Sequence, residues 1–264
     1  MIIIAGPCQL ESSEHAIEIA SALHELCIKY DFEFYFKSSF DKANRTSIHG
    51  KRGPGIFQGM QWLSDVRDEV GCKVITDVHE TWQIKEIISV ADVIQIPAFL
   101  CRQTDLIVRS VELASLTDKI VNIKKGQFLA PWDVKGILSK TGTDNVWITE
   151  RGTSFGYNTL VTDFTGLQYM RNEFDVPIIF DATHSVQKPG GKGNSSDGNR
   201  SYVPGLIRAA VAQGIDGVFM ECHQDPDKAP SDGPNMVRMD DVEKVFEEII
   251  TYEYKESLWK FQYI

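Results

Sequence analysis

Two groups of side chains in this sequence have the chemistry of a functional site. The first is a thiol, an imidazole and two carboxylates, at Cys8, His184, Glu221 and Asp232. This combination suits a borderline divalent ion such as Zn²⁺, Fe²⁺ or Mn²⁺ and is poor for Mg²⁺ or Ca²⁺. The residues form no local motif, so a metal site needs a fold that brings distant segments together. His223 is an alternative ligand, because strand alternation places it on the same face as Glu221.

The second group is cationic. Its members are Lys37, Lys42, Arg45, Lys124 and Arg151. At an effective dielectric of ~20, two unit charges ~4 Å apart interact by about 4 kcal/mol, so clustered cations would repel unless a polyanion or nearby carboxylates compensated. The group therefore predicts phosphate and carboxylate ligands, with Asn44 and Gln95 as neutral hydrogen-bonding partners. Lys42 and Lys125 have an alternative interpretation as solvated surface lysines.

Short β-branched or aromatic runs alternate with helical apolar spacing along the whole chain. The predicted strands are Ile2–Ala5, Phe32–Lys37, Lys73–Thr76, Asp92–Ile96, Lys119–Ile123, Asn145–Thr149, Pro177–Phe180 and Gly217–Glu221. Helical segments follow each of them; Ser12 or Ser13 is a candidate cap of the first and Thr162 of the sixth. The pattern predicts an α/β protein, a single-domain (β/α)8 TIM barrel over residues 1–264. A doubly wound sheet is the alternative, but no glycine-rich dinucleotide fingerprint follows the first strand.

A barrel would bring both chemical groups to one mouth, because polar residues follow every predicted strand. These residues are Cys8, Lys37, Asp77, Gln95, Lys124, Lys125, Arg151, Asp181, His184, Glu221 and His223. Two long loops, Ser38–Phe57 and His184–Tyr202, also follow strand ends. The carboxyl ends of the strands form the active-site face of such barrels, so we expect the functional site there.

The bulk composition narrows the function classes. No apolar stretch approaches the eighteen or so residues that span a membrane, and no signal peptide is evident, so we expect a cytoplasmic protein. A net charge of −10 disfavours binding to nucleic acid or to an anionic membrane. The five cysteines form an odd set without C-x-x-C spacing, which argues against a disulfide framework and a cysteine-only zinc cluster.

Long motifs in the sequence resemble the family of 3-deoxy-D-manno-octulosonate 8-phosphate synthases over essentially the whole chain. They are "AGPC", "FKSSFDKANRTS", "RGPG", "TDVHE", "IQIPAFLCRQTDL", "NIKKGQF", "ERGTSFGYNTLVTD", "DATHSVQ" and "SDGPN". The resemblance implies a (β/α)8 barrel, typically a homotetramer. It further implies condensation of phosphoenolpyruvate with D-arabinose 5-phosphate and water, on the route to the inner sugar of bacterial lipopolysaccharide. The family has a metal-dependent and a metal-independent branch, which carry cysteine and asparagine at this position, respectively. Cys8 therefore implies the metal-dependent branch.

The resemblance also implies residue roles. The metal ligands are Cys8, His184, Glu221 and Asp232. The phosphoenolpyruvate contacts are Lys37, Lys42, Gln95, Lys124 and Arg151. The sugar-phosphate contacts are Asn44, Arg45, Thr46, Asp77 and Arg102, of which Arg102 would reach a neighbouring subunit. Catalytic roles are expected for Lys42, Cys8, His184 and Asp232.

Three positions depart from the family pattern. Thr46 stands where serine is usual, Cys101 where a small residue is common, and Asp197 where glycine is common in the loop "KPGGKGNSSDGNR". The nearest competing function is the sister synthesis of 3-deoxy-D-arabino-heptulosonate 7-phosphate from erythrose 4-phosphate. The stretch "KANR" argues against it, since that family tends to carry Lys-Pro-Arg, and Thr46 is the one feature in its favour. A non-catalytic metal- or sugar-phosphate-binding barrel is the third possibility.

Overall fold

The computed structural model describes residues 1–44, 47–191, 193 and 196–258, and its centre is a closed barrel of eight parallel strands. The strands are β1 (Ile2–Gly6), β2 (Glu33–Lys37), β3 (Lys73–Asp77), β4 (Val93–Ile96), β5 (Ile120–Lys124), β6 (Val146–Glu150), β7 (Ile178–Asp181) and β8 (Gly217–His223). The outer helices are α1 (Ser13–Lys29), α2 (Ile56–Val70), α3 (Gln83–Ile87), α4 (Thr104–Leu116), α5 (Val134–Leu138), α6 (Phe164–Glu173), α7 (Val203–Val211) and α8 (Met239–Leu258). The predicted single-domain (β/α)8 barrel is confirmed.

Parallel pairing runs around the barrel in chain order and closes between β1 and β8. In the closing pair Gly6 lies opposite Glu221, so the end of the first strand meets the end of the last. A Cβ at Gly6 would lie 2.3 Å from the Lys37 carbonyl oxygen, so only glycine permits this approach of β1 to β2. The segment after Gly6 thereby enters the mouth of the barrel with Cys8 buried.

Side chains alternate between two cores, as strand geometry requires. Those that point inward fill the barrel: Ile4, Tyr35, Ile75, Val93, Trp147, Ile179 and Phe219. The others pack against the helices. Phe219 forms the floor of the mouth, since Lys124 Nζ lies 3.6 Å and Lys37 Nζ 5.7 Å from its ring centroid. The aromatic face thus supports two of the predicted site cations.

The predicted N-cap of helix α6 is wrong. Thr162 does not cap α6; the cap is Asp163, whose carboxylate accepts a hydrogen bond from the Gly166 N–H at 2.9 Å. An aspartate carboxylate is a strong N-cap acceptor, and here it displaces the neighbouring hydroxyl from that role. The Ser12 cap of α1 is confirmed. Among the helices of the described ranges, none combines the length and the apolar composition needed to cross a bilayer.

Candidate active site

A cavity of about 570 Å³ opens at the carboxyl ends of the strands. Its lining brings together predicted site residues from seven strand ends and their loops: Lys37, Lys42, Asn44, Asp77, Gln95, Lys124, Arg151, His184 and Asp232. Cys8 and Glu221 lie buried beside it, whereas Arg102 is exposed and is not part of the lining. The predictions for Arg45 and Thr46 fall outside the described residues. The volume is in the usual range for small-molecule sites, about 300–1,000 Å³.

Three of the predicted metal ligands form one tight group. Single ligand atoms of Cys8, Glu221 and Asp232 all lie within 4.8 Å of one another. Both Glu221 carboxylate oxygens are buried and make no hydrogen bond to any described residue, although Lys37 Nζ lies 3.7 Å away. A buried carboxylate without partners is costly, and a bound cation removes that cost. The donor set of this group therefore fits a divalent metal ion.

The fourth predicted ligand, His184, is not one of these mutually close atoms; it lies beside them on a short helical turn, Ala182–Ser185, that follows β7. Its Nε2 lies 3.7 Å from Glu221 Oε1, and its Nδ1 lies 2.7 Å from Asp181 Oδ2. A carboxylate can only accept, so Nδ1 carries a proton that it donates to Asp181, and Nε2 is the ring nitrogen that faces the group. Asp181 also accepts from the His184 backbone N–H at 2.9 Å, which fixes the turn.

The protonation of the group follows from burial and neighbouring charge. Burial, and then the Glu221 carboxylate, raise the pKa of the Cys8 thiol, so without a cation it keeps its proton and donates to Asp232 Oδ2 at 3.2 Å. A divalent ion would displace that proton. Burial alone would raise the pKa of Asp232, but His184 and Lys42 outweigh it and hold the pKa below its usual range. Asp232 also has a left-handed backbone, with φ of 53°, a conformation that aspartate and asparagine adopt more readily than other non-glycine residues.

His223, the alternative ligand, belongs to a different set of contacts. Its Nε2 lies 2.9 Å from Glu11 Oε1, and its Nδ1 accepts the Asp225 backbone N–H at 2.9 Å. With Glu11 and His15 it forms a second cluster of possible ligand atoms within 4.8 Å. Because Nδ1 is an acceptor, the ring proton lies on Nε2 and points at Glu11, so Nε2 has no lone pair for a metal.

The predicted repulsion among the cations is compensated by carboxylates, one of the two possibilities that the sequence left open. Lys37 Nζ lies 3.7 Å from Asp77 and 3.7 Å from Glu221. Ser39 connects this group, since its hydroxyl lies 2.9 Å from Lys37 Nζ, 3.0 Å from Lys42 Nζ and 2.5 Å from Asp77 Oδ2. Burial alone would raise the pKa of Asp77, but Lys37 and Lys42 hold it well below its usual range.

The interpretation of Lys42 and Lys125 as solvated surface lysines is wrong for both. Lys125 is buried and pairs with Glu150 Oε2 at 3.1 Å, behind the cavity wall. Lys42 is half-buried and lines the cavity. Burial alone would lower the pKa of Lys42, but the carboxylates of Glu221, Asp77 and Asp232 around it raise the pKa above its ordinary value. Lys42 is therefore a permanent cation at neutral pH.

Arg151 and Lys124 form the opposite side of the cavity. Lys124 Nζ lies 2.5 Å from Asp181 Oδ2, and burial lowers its pKa. Arg151 Nη2 donates to Gln187 Oε1 at 3.0 Å, and its Nη1 is buried without a hydrogen-bond partner among the described residues. A buried guanidinium N–H that lacks an acceptor indicates an anion site.

Three residues of the site were missed by the predictions: Ser39, Asp181 and Gln187. All lie within the quoted motifs "FKSSFDKANRTS" and "DATHSVQ". Asp181 was recognised as a strand-end carboxylate but received no role, although its position three residues before His184 is the spacing of a helix N-cap. Gln187 acts through hydrogen bonds to distant segments, and the bond from Ser39 to Asp77 is equally long-range, so the sequence carries no local signal for these contacts.

A closed (β/α)8 barrel with a cationic cavity and a thiol–carboxylate group at its carboxyl face defines a TIM-barrel enzyme that acts on anionic substrates. The DAHP synthetase I family matches residues 1–258, and the chain belongs to that family.

The chain is similar to proteins named 2-dehydro-3-deoxyphosphooctonate aldolase. The one from Chelativorans sp. is 55% identical over 256 residues, 96% of this chain and 91% of that protein. Those from Bradyrhizobium diazoefficiens and Rickettsia bellii are both 52% identical over 254 residues, 95% of this chain and 89% and 91% of theirs. The resemblance inferred from the motifs is confirmed.

Proposed function

We propose that the chain, as one catalytic domain, condenses phosphoenolpyruvate with D-arabinose 5-phosphate and water. The products are 3-deoxy-D-manno-octulosonate 8-phosphate and phosphate, and the reaction belongs to the synthesis of the lipopolysaccharide inner-core sugar. One observation carries the proposal: four cations converge on a single cavity beside the buried thiol–carboxylate group, in a chain more than half identical to several proteins named for this aldolase.

Phosphoenolpyruvate would bind along the cationic wall through its phosphate and carboxylate. Its proposed contacts are Lys37, Lys42, Gln95, Lys124 and Arg151. The unpaired Arg151 Nη1 supports this placement, since it offers a charge-assisted hydrogen bond. Gln95 is held by its hydrogen bond to Asp77 Oδ1 and accepts one from Asn122 at 3.0 Å, so it is oriented in advance.

The sugar phosphate would bind at the outer part of the cavity. Its proposed contacts are Asn44, Arg45, Thr46, Asp77 and Arg102. Asn44 and Asp77 line the cavity, while the exposed Arg102 fits a role toward a neighbouring subunit of a homotetramer. In this arrangement Lys42, which lies between the two substrates, would remain charged throughout the reaction.

Cys8, His184, Glu221 and Asp232 would hold a divalent ion, which we propose to be Zn²⁺, Fe²⁺ or Mn²⁺. When bound, such an ion polarises an aldehyde oxygen or lowers the pKa of a water molecule. The orphaned oxygens of Glu221 and the His184 ring oriented by Asp181 support this ligand set.

In the proposed reaction the enol carbon of phosphoenolpyruvate attacks the aldehyde carbon, and water adds to the carbon that carries the phosphate ester. That carbon–oxygen bond then breaks and phosphate leaves. The fixed cations hold both substrates in line and stabilise the negative charge that develops on the aldehyde oxygen. Lys42 would donate a hydrogen bond to that oxygen, and the bound carboxylate and phosphate would offset positive charge at the attacked carbon.

The test measures phosphate release with phosphoenolpyruvate and either arabinose 5-phosphate or erythrose 4-phosphate. We expect turnover with the pentose phosphate and little with the tetrose phosphate. Strong preference for erythrose 4-phosphate would assign the sister heptulosonate reaction, and no release with either would indicate a non-catalytic barrel. In ¹⁸O-labelled water the label should enter the sugar product; label in the released phosphate would refute carbon–oxygen cleavage.

A further inference from the structure

One side-chain amide joins the two halves of the candidate site. Gln187 Oε1 accepts from Arg151 Nη2 at 3.0 Å, and Gln187 Nε2 donates to Asp232 Oδ1 at 2.8 Å. Each partner has a second polar atom that this amide does not contact, although Asp232 Oδ2 also accepts from the Ser231 hydroxyl at 2.7 Å. Arg151 Nη1 is buried and has no hydrogen bond within the described chain, and Asp232 Oδ2 faces the Cys8 sulfur at 3.2 Å. The amide therefore determines which atom Arg151 and Asp232 each offer to the cavity.

The backbone holds this amide in place. Gln187 lies opposite Gly198 in a small antiparallel hairpin that follows β7. A Cβ at Gly198 would lie 1.5 Å from Asn235 Oδ1, so the hairpin packs directly on the loop that carries Asp232. Gln187 and Asp232 thus belong to segments in van der Waals contact, and a shift of one segment is transmitted to the other.

We propose that Gln187 is a positioning residue that links anion binding at Arg151 to metal binding at Asp232. The inference rests on the proposed function, because it takes phosphoenolpyruvate and a divalent ion as the two ligands. The guanidinium charge polarises the amide and strengthens its Nε2–H as a donor to Asp232 Oδ1, which would leave Oδ2 as the oxygen available to a metal ion. Occupancy of either end fixes the shared amide, so each ligand increases the affinity for the other by the same factor.

The experiment is a titration of chelator-stripped protein with Mn²⁺ by calorimetry, with and without phosphoenolpyruvate. The variants are Gln187→Leu, which removes both hydrogen bonds, and Gln187→Glu, which keeps the volume but places an oxygen against Asp232. Gln61→Leu is the matched control, because it removes a glutamine–aspartate hydrogen bond of the same 2.8 Å length, to Asp65 on the exposed face of α2. Thermal unfolding of each metal-free protein verifies folding, and Gln187→Glu serves if Gln187→Leu does not fold.

We expect both Gln187 variants to raise the Kd for Mn²⁺ about 10–100-fold, as loss of a hydrogen bond to a metal ligand does elsewhere. In the parent protein phosphoenolpyruvate should tighten Mn²⁺ binding at least about fivefold, and Gln187→Leu should reduce this factor at least threefold. The Gln61→Leu control should match the parent protein both in its Kd for Mn²⁺ and in the effect of phosphoenolpyruvate on that Kd.

A Kd for Mn²⁺ within threefold of the parent value in both Gln187 variants would overturn the proposal. The proposal would also be overturned if phosphoenolpyruvate tightened Mn²⁺ binding by the same factor in Gln187→Leu as in the parent protein. If phosphoenolpyruvate does not bind even to the parent protein, the proposed function fails; the titration with Mn²⁺ alone then still decides whether Gln187 positions Asp232.

Discussion

Replacement of Asp181 by asparagine tests whether the buried Lys124 ammonium depends on this carboxylate as its counter-charge. The Asp181 carboxylate is fully buried and contacts Lys124 Nζ at 2.5 Å and His184 Nδ1 at 2.7 Å. Asp181→Asn keeps the shape but leaves the Lys124 ammonium buried without its counter-charge. Breaking a buried ion pair in this way costs about 3–5 kcal/mol, a large share of the roughly 5–15 kcal/mol that stabilises a typical domain. We therefore expect the free energy of unfolding to fall by about 3–5 kcal/mol.

The assay is thermal and urea unfolding of the chelator-stripped protein, so that lost metal binding does not contribute. At about 2–4 °C per kcal/mol for a chain of this size, the expected decrease in Tm is roughly 6–20 °C. Asp241→Asn is the matched control: it removes an exposed partner of Lys244 at 3.0 Å and should cost less than about 1 kcal/mol. A loss below about 1 kcal/mol for Asp181→Asn, similar to that of the control, would refute the reasoning that Lys124 depends on this carboxylate.

Three further predictions concern the metal group and the hairpin. Cys8→Ala should abolish stoichiometric metal content after dialysis, measured by elemental analysis, whereas alanine at the buried Cys101 should not; metal retained in Cys8→Ala would return Cys8 to a packing role. Chelation should abolish turnover of the parent protein and added Mn²⁺ should restore it, and chelator-resistant turnover by metal-free protein would contradict metal dependence. Gly198→Ala should lower turnover at least about tenfold, because its Cβ would meet Asn235 at 1.5 Å and displace the hairpin. Its control, Gly136→Ala in α5, has open space at the new Cβ and should raise the free energy of unfolding by about 0.5–1 kcal/mol; equal turnover in both variants would exclude the hairpin from the site.

Most of the fold was predictable because strands and helices have different apolar periods. Each of the eight predicted strands matches an observed one to within two residues at either end; the last extends furthest beyond its prediction, to His223. Parallel strands that alternate with helices close into few topologies, so the strand-end residues could be assigned to one mouth before any contact was known. The helix caps were less certain, as Thr162 shows, because adjacent hydroxyl and carboxylate groups compete for the same backbone N–H.

The site was predictable where a residue type alone carries the chemistry. A thiol, an imidazole and two carboxylates suggest a metal from their ligand preferences, and the structure brings Cys8, Glu221 and Asp232 within one group. The positioning hydrogen bonds were not predictable, because they depend on the path of loops between strands. Gln187 and Ser39 are ordinary polar residues in sequence, and only tertiary contacts connect Gln187 to Arg151 and Asp232 and connect Ser39 to Asp77.

The closing pair of the barrel also has a consequence for synthesis of the chain. Asp232 is synthesised 224 residues after Cys8. At about 5–20 residues per second, this interval is roughly 10–45 s. Throughout it the thiol has none of its carboxylate partners, because Glu221 reaches Gly6 only when the last strand pairs with the first. Metal capture by the full set of proposed ligands would therefore be a late event, and a metal-loaded site would indicate that the barrel has already closed.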